Sequence, residues 1–219
     1  MTGTQMNPEE KSSFRLLPAA WIATALGLAD RLSRPLVRLK VSPNALSILG
    51  LLAGVAVGLF YALERPGWAA ASILVCGVLD ILDGKVATNG GRRSDFGAML
   101  DSSLDRYAEF FMYAGLAYHF RGGWGLWLTV FAFLGSFMVS YTRARAEGLG
   151  VECRVGPMQR AERFVLLFVG TVAGIVFRAL DPVLIVVVAV IAVVSHFTAV
   201  QRILCVRKAG RDRTPPKED

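Results

Sequence analysis

Asp80, Asp83, Asp101 and Asp105 fall at the ends of two strongly apolar runs, Trp68 to about Val86 and Gly97 to Phe120. A carboxylate inside a membrane-length apolar segment is costly and marks a functional site by default, so four of them call for a shared explanation. On a helix, Asp80 and Asp83 stand three residues apart and Asp101 and Asp105 four, spacings that put each pair on one face. Two such helices, packed antiparallel across the Gly- and Arg-rich turn 88–96, would bring the four carboxylates together near one membrane surface. Like charges that close do not stay ionised together without cations, and hard oxygen ligands suit Mg²⁺, Mn²⁺ or Ca²⁺. The expectation is a divalent-metal site at a membrane interface.

Composition agrees with a chain that lives in a bilayer. Hydrophobic residues make up 54% of the 219, yet 19% are charged and the net charge is +7. That mixture fits apolar spans joined by basic loops better than a water-soluble core. One membrane domain accounts for the length, and no nucleic-acid partner is expected. Cys76 and Cys205 lie in apolar runs and Cys153 in a polar loop, an odd and scattered set that suggests neither a disulfide framework nor a zinc site. The start of the chain, with Glu9, Glu10 and Lys11 before any apolar run, lacks the layout of a cleavable signal.

Read in order, the chain predicts an all-α integral membrane protein with six transmembrane helices and an N-terminal interfacial amphipathic helix. Residues 1–12 are polar and read as disordered. Over residues 13–40, Leu26, Leu32 and Trp21 interleave with Arg15, Arg31, Arg34 and Arg38, the composition of a helix lying on an anionic leaflet. Pro18 and Pro35 predict that it comes in two pieces. Ser42-Pro43-Asn44 opens the first span, which runs to Leu63. Later spans are predicted from Trp68 to Val86, Gly97 to Phe120, Trp124 to Tyr141, Phe164 to Phe177 and Val183 to Val200, with a polar Arg-rich loop over 142–163. The fifth looks short unless it begins near Pro157. The six-span domain is placed at 41–207, followed by a disordered basic tail over 208–219. Six spans put both termini on one side, which also holds Arg92, Arg93, Arg143, Arg145, Arg154, Arg160 and Arg163, against only Arg65, Arg121 and Arg178 opposite. The positive-inside rule then makes the termini and the aspartates cytoplasmic, in a multi-pass cell (inner) membrane protein.

The aspartates also sit in a recognisable frame. The pattern D-x2-D-G-x2-A followed by G-x3-D-x3-D, carried here by Asp80, Asp83, Gly84, Ala87, Gly97, Asp101 and Asp105, resembles the signature of the CDP-alcohol phosphotransferases. Seven fixed positions at a background of roughly 5–10% each make a chance match on the order of 10⁻⁸ per start. The one departure is Thr88, where the family carries an arginine; Lys85, Arg92 or Arg93 could supply the missing cation. The resemblance covers roughly residues 40–205. It implies metal ligation by Asp80, Asp83, Asp101 and Asp105, with Mg²⁺ or Mn²⁺, two ions, as cofactor. It implies Asp105 as catalytic base toward the attacking hydroxyl. It further implies a donor, CDP-diacylglycerol, lined by Asn44, Ser47, Gly84, Ala87, Thr88 and Ser94, with helix capping as the other reading of Asn44 and Ser47.

The runs Ser140-Tyr141-Thr142-Arg143-Ala144-Arg145-Ala146-Glu147 and Gln159-Arg160-Ala161-Glu162-Arg163 are similar to those of the prokaryotic phosphatidylinositol-phosphate synthases within that family. By that resemblance Ser140, Arg143, Arg160 and Arg202 line a pocket for the acceptor's phosphate, a task that suits guanidinium forks. Arg145 and Arg163 read instead as positive-inside residues, or as partners of Glu147 and Glu162. The implied reaction moves a phosphatidyl group from CDP-diacylglycerol to the hydroxyl of an inositol phosphate and releases CMP. Glycerol 3-phosphate or another polar alcohol is the alternative acceptor, and a cation-binding transporter the alternative of another class. A homodimer and contacts with membrane lipids complete the expected partners.

Overall fold

The computed structural model describes residues 19–213, which form helices joined by turns and a longer loop over 149–159, with no strand among them. Proline at the first helical position and the extended backbone of Ser42 start α2 (Pro43–Ala62), although the Ser42 side chain makes no capping bond. Pro66 likewise stands at the first position of α3 (Pro66–Asn89). After Gly91, whose φ of +62° turns the chain, the Ser94 hydroxyl accepts from the Gly97 amide at 3.0 Å and caps α4 (Asp95–His119).

The remaining helices are α5 (Gly125–Gly148), α6 (Arg160–Val176) and α7 (Leu180–Arg213). Three boundaries differ from expectation. α5 extends into the start of the Arg-rich segment that reads as loop, as far as Gly148, because Arg, Ala and Glu are strong helix formers and Arg143 pairs with Glu147 one turn on, at 2.9 Å; 149–159 is loop as expected. α6 starts at Arg160, upstream of Phe164. α7 continues past Arg207 to Arg213, where a disordered tail is expected. Residues 1–18 and 214–219, which include the expected disordered N-terminus and Pro18, lie outside the described residues.

Small residues set the closest contact in the bundle. A Cβ on Gly54 would lie 2.6 Å from that of Ala108, one on Gly58 would strike the Phe111 carbonyl, and one on Gly115 the Gly58 carbonyl. α2 and α4 therefore meet backbone to backbone, the use membrane bundles make of glycines four apart. This contact fixes the start of α2 beside the aspartates of α4. Val57, Tyr61, Ile73, Met112, Leu116, Leu184 and Ile191 fill the core between helices. Two polar pairs cross it, Tyr61 with Thr171 at 2.5 Å and Tyr113 with Ser136 at 3.0 Å. Leu52, Trp68, Val75, Trp127, Val186 and Val193 point outward.

Pro43–Ala62, Gly125–Gly148 and Leu180–Gly210 are long and apolar enough to cross a membrane, which marks a membrane protein. The helices that fall short, α3, α4 and α6, carry Asp80, Asp83, Asp101, Asp105, Glu109, Arg160 and Arg163. α6, at 17 residues, is also the shortest helix described.

Two expectations need correcting. Ala19–Arg38 is one helix, α1, with Pro35 inside it rather than two pieces. Pro35 falls in the last turn, where its carbonyl still accepts from Leu39 at 2.9 Å, and Lys40, at φ 56°, ends the helix. α1 is tied to α3 by the Asn89 amide, which donates to Asp30 at 3.0 Å and Ser33 at 2.9 Å. That bond, with Arg34 second, holds the Asp30 carboxyl below its usual range. The second correction concerns Cys153 and Cys205, which are joined in a disulfide, while Cys76 is free and buried. Their sequence separation of 52 hides a loop that folds back onto α7. Gly156, at φ +99°, fits against Thr198, whose hydroxyl accepts from the Met158 amide at 3.3 Å.

Candidate active site

The last turns of α3 and the first turns of α4 bring the aspartates together, although the two helices do not pack against each other as expected: each packs on α2 instead. One oxygen from each of Asp80, Asp101 and Asp105 lies within 4.8 Å of the others, all half-buried. Asp83 adjoins Asp101, is buried at 5% exposure, and accepts from the Ser47 hydroxyl at 2.9 Å. Ser47 is thus a partner of the acidic cluster and not a cap. Asp101 Oδ1 is buried without a hydrogen-bond partner. A set of carboxylate oxygens with one orphaned lone pair fits a hard divalent cation.

In this structure a guanidinium is the counter-charge. Arg160 donates from Nη1 to Asp80 Oδ1 at 2.6 Å and pairs with Asp105 Oδ2, with its carbon 5.0 Å from the centre of the Phe164 ring. Like charges on α3 and α4 are bridged by the first residue of α6.

Two cavities meet at the cluster. The first, of about 460 Å³, is walled by Asn44, Ser47, Asp83, Gly84, Ala87 and Ser94, together with Arg92, Arg93, Gly97 and Asp101. A Cβ on Gly84 would meet nothing within 4 Å, whereas one on Gly97 would come within 3.0 Å of Ser94 Oγ and 3.4 Å of Asn44 Oδ1. Thr88 and Lys85 stand outside this wall. The Thr88 hydroxyl donates to the Gly84 carbonyl at 2.7 Å and accepts from Arg93 Nε at 3.1 Å. Arg92 is engaged with the carbonyls of Lys40 and Val41 at 3.1 and 3.4 Å. The residue that departs from the expected arginine therefore orients an arginine five positions later.

The second cavity, of about 600 Å³, has Asp80, Asp101 and Asp105 on one side and Ser140, Arg143, Arg160 and Arg202 on the other. All four residues expected around an acceptor phosphate line it. Arg202 is buried and donates to the carbonyls of Val155 and Val139 at 3.1 and 2.5 Å. The disulfide fixes the same loop one turn further along α7. Ala98 and Asp101 belong to both walls, so the two spaces share the carboxylate cluster.

Sequence reasoning missed Arg163 and Glu109. Arg163 is not paired with Glu162: its Nε donates to Glu109 Oε1 at 2.6 Å, with side-chain exposures of 2% and 7%. Glu147 likewise takes Arg143 rather than Arg145. Adjacent residues on a helix point apart, which rules out the Glu162–Arg163 pairing. Both Arg163 and Glu109 line the second cavity. The available signal was the step of four from Asp101 through Asp105 to Glu109.

Comparison with known proteins points the same way. The profile of the family described as CDP-alcohol phosphatidyltransferase matches residues 40–201. The chain is 35% identical over 185 residues to the archaetidylinositol phosphate synthase of Methanothermobacter thermautotrophicus, covering 79% of this chain and 91% of that one. It is 34% identical over 188 residues to the phosphatidylinositol phosphate synthase of Streptomyces avermitilis, covering 81% and 77%. The fold superposes on the Mycobacterium tuberculosis phosphatidylinositol phosphate synthase with CDP-DAG bound, at TM-score 0.74 and 29% identity over 87% of this chain and 96% of that one. A complex of that enzyme with manganese and citrate gives 0.74 and 28%, over 87% and 92%.

Proposed function

The chain belongs to the CDP-alcohol phosphatidyltransferase family, and from that premise we propose that it transfers a phosphatidyl group from CDP-diacylglycerol to the hydroxyl of an inositol phosphate, releasing CMP. The observation that carries this reading is the junction of the two cavities at Asp101. A donor held in one and an acceptor in the other would meet at the carboxylates, and in-line transfer at phosphorus needs positioning and charge stabilisation above all.

The donor cavity takes the nucleotide diphosphate. Asn44, Ser47 and Ser94 offer polar side chains to it, and Gly84 and Ala87 leave room for the ring. Arg93, oriented by Thr88, supplies the cation that the family places at position 88. Asp80, Asp83, Asp101 and Asp105 would hold the metal, which when bound would supply Lewis-acid polarisation of the phosphoryl oxygens. Two ions, Mg²⁺ or Mn²⁺, are the expected complement; the manganese complex of the mycobacterial relative supports a divalent ion. Asp105 takes the proton of the acceptor hydroxyl as its oxygen bonds to the phosphatidyl phosphorus and the bond from that phosphorus to CMP breaks.

The acceptor cavity takes a phosphorylated polyol. Ser140, Arg143, Arg160 and Arg202 face it, and Arg163 joins them. So much positive charge beside the reacting centre selects an acceptor with a phosphate of its own. In the membrane, α2 to α7 are six spans of a catalytic domain at 41–207, and α1 rests on the cytoplasmic leaflet with Leu26, Leu28 and Leu32 exposed beside Arg31, Arg34 and Arg38. The site and both termini are cytoplasmic, and two copies form the working dimer.

The test is an acceptor screen on purified protein with labelled CDP-diacylglycerol and Mn²⁺. Inositol phosphate should yield lipid and CMP well ahead of free inositol, glycerol 3-phosphate and serine. A preference for glycerol 3-phosphate would replace the acceptor assignment, and no lipid product from any acceptor would overturn the reading. Because the Methanothermobacter relative is named for an archaetidyl product, the screen includes an archaetidyl donor beside the diacyl one.

A further inference from the structure

The structure assigns Glu109 as a positioning residue for the acceptor: it grips Arg163 by Nε so that the far edge of the guanidinium is reserved for the acceptor's phosphate. This inference rests on the acceptor reading above and deepens it.

A guanidinium offers two hydrogen-bonding edges, one through Nε and a terminal nitrogen, the other through both terminal nitrogens. Glu109 Oε1 takes Nε at 2.6 Å, which occupies the first edge. On the second, Nη1 and Nη2 are both buried and have no hydrogen-bond partner. Arg163 is among the most completely buried large side chains described. Unpaired donors on a buried cation are rare and need a reason. Here the reason is at hand, because Arg163 and Glu109 form part of the wall of the 600 Å³ cavity that also holds Arg143, Arg160 and Arg202. An oxyanion entering that cavity completes the bonding, two oxygens against two nitrogens.

The placement of Glu109 also sets a distance. It follows Asp105 by four residues on α4, a separation of roughly 6 Å along the helix. The carboxylate that receives the hydroxyl proton and the carboxylate that aims the phosphate-binding arginine therefore ride on one face of one rigid element. Their offset sorts acceptors by the distance between the attacking hydroxyl and the phosphate. Glu109 touches neither. A carboxylate suits the task because it compensates the buried charge, which an amide does not.

The experiment compares Glu109→Ala, Glu109→Gln and Glu109→Asp in the full-length protein, with inositol phosphate and free inositol as acceptors. Glu109→Ala should raise the KM for inositol phosphate about ten- to a hundredfold. KM for CDP-diacylglycerol, Mn²⁺ affinity and the poor use of free inositol should stay near native. Glu109→Asp should recover part of the loss and Glu109→Gln less. Native acceptor KM in Glu109→Ala, or donor and acceptor KM rising together in every variant, would overturn the assignment. Should Glu109→Ala fail to fold, the double variant Glu109→Leu/Arg163→Met removes both buried charges at once, a change folds commonly tolerate. Folded with the raised acceptor KM, it supports the role; folded with a native one, it refutes it. If glycerol 3-phosphate is the better native acceptor, the inositol reading falls alone, and the same KM comparison with glycerol 3-phosphate decides Glu109.

Discussion

Arg160 occupies a position between two tasks, and Arg160→Ala separates them. Its guanidinium bridges Asp80 and Asp105, the oxygens a divalent cation would use, while the same residue lines the acceptor cavity. Metal and guanidinium compete for one pair of carboxylates. Each charge-assisted hydrogen bond is worth about 1.5–3 kcal/mol. The side chains of Arg160, Asp80 and Asp105 are 19%, 33% and 21% exposed, so the low end of that range applies to each contact. Two contacts at that end amount to about 3 kcal/mol, or roughly a hundredfold in a binding constant. Water entering the vacated space returns part of it. Arg160→Ala should therefore bind Mn²⁺ about ten- to a hundredfold more tightly than the native protein while its KM for inositol phosphate rises. Mn²⁺ titration of metal-stripped protein, followed by electron paramagnetic resonance, reads the first effect without turnover. Thermal unfolding gives a second view: the variant should be less stable without metal and gain more from saturating Mn²⁺. Unchanged or weaker Mn²⁺ binding in Arg160→Ala would refute the competition.

Asp105→Asn should lower transfer by roughly 10² or more while CDP-diacylglycerol still binds, as loss of a general base requires; near-native turnover would remove Asp105 from that role. Asp101→Ala should abolish Mn²⁺ binding and transfer together, and chelation should silence the native protein reversibly; activity in stripped protein under chelator would contradict the metal site. Thr88→Val should raise the donor KM several-fold by releasing Arg93, Arg93→Ala should do the same, and the double variant should be no worse than either, since both act through one contact. Reduction of Cys153–Cys205, or Cys153→Ser, should raise the acceptor KM and leave the donor KM unchanged, because the loop it fastens holds Arg202 through the Val155 carbonyl; equal effects on both substrates would place the disulfide in general stability instead.

Much of the acidic cluster was legible in the chain because it is local. Asp80 with Asp83, and Asp101 with Asp105, share faces by helical period alone, and one turn joins the two helices. Apolar runs of membrane length likewise announce helices, since a bilayer admits no backbone that is not bonded internally. The glycines and alanine of the signature all line the first cavity. Whatever depends on contacts between distant segments was not legible in this way. Which arginine faces which carboxylate is decided by the pitch and packing of three helices, so Arg163 found Glu109 across the bundle instead of its neighbour Glu162. Arg160 came to rest on Asp80, 80 residues away in the chain. The Cys153–Cys205 disulfide depends on a loop folding back over α7, a closure that spacing cannot foretell. Helix period and hydropathy act over one or two turns and can be read along a single dimension. Charge pairing in a low-dielectric interior follows spatial neighbours, and the close glycine contact of α2 with α4 and the seating of α6 on the acidic cluster determine who those neighbours are.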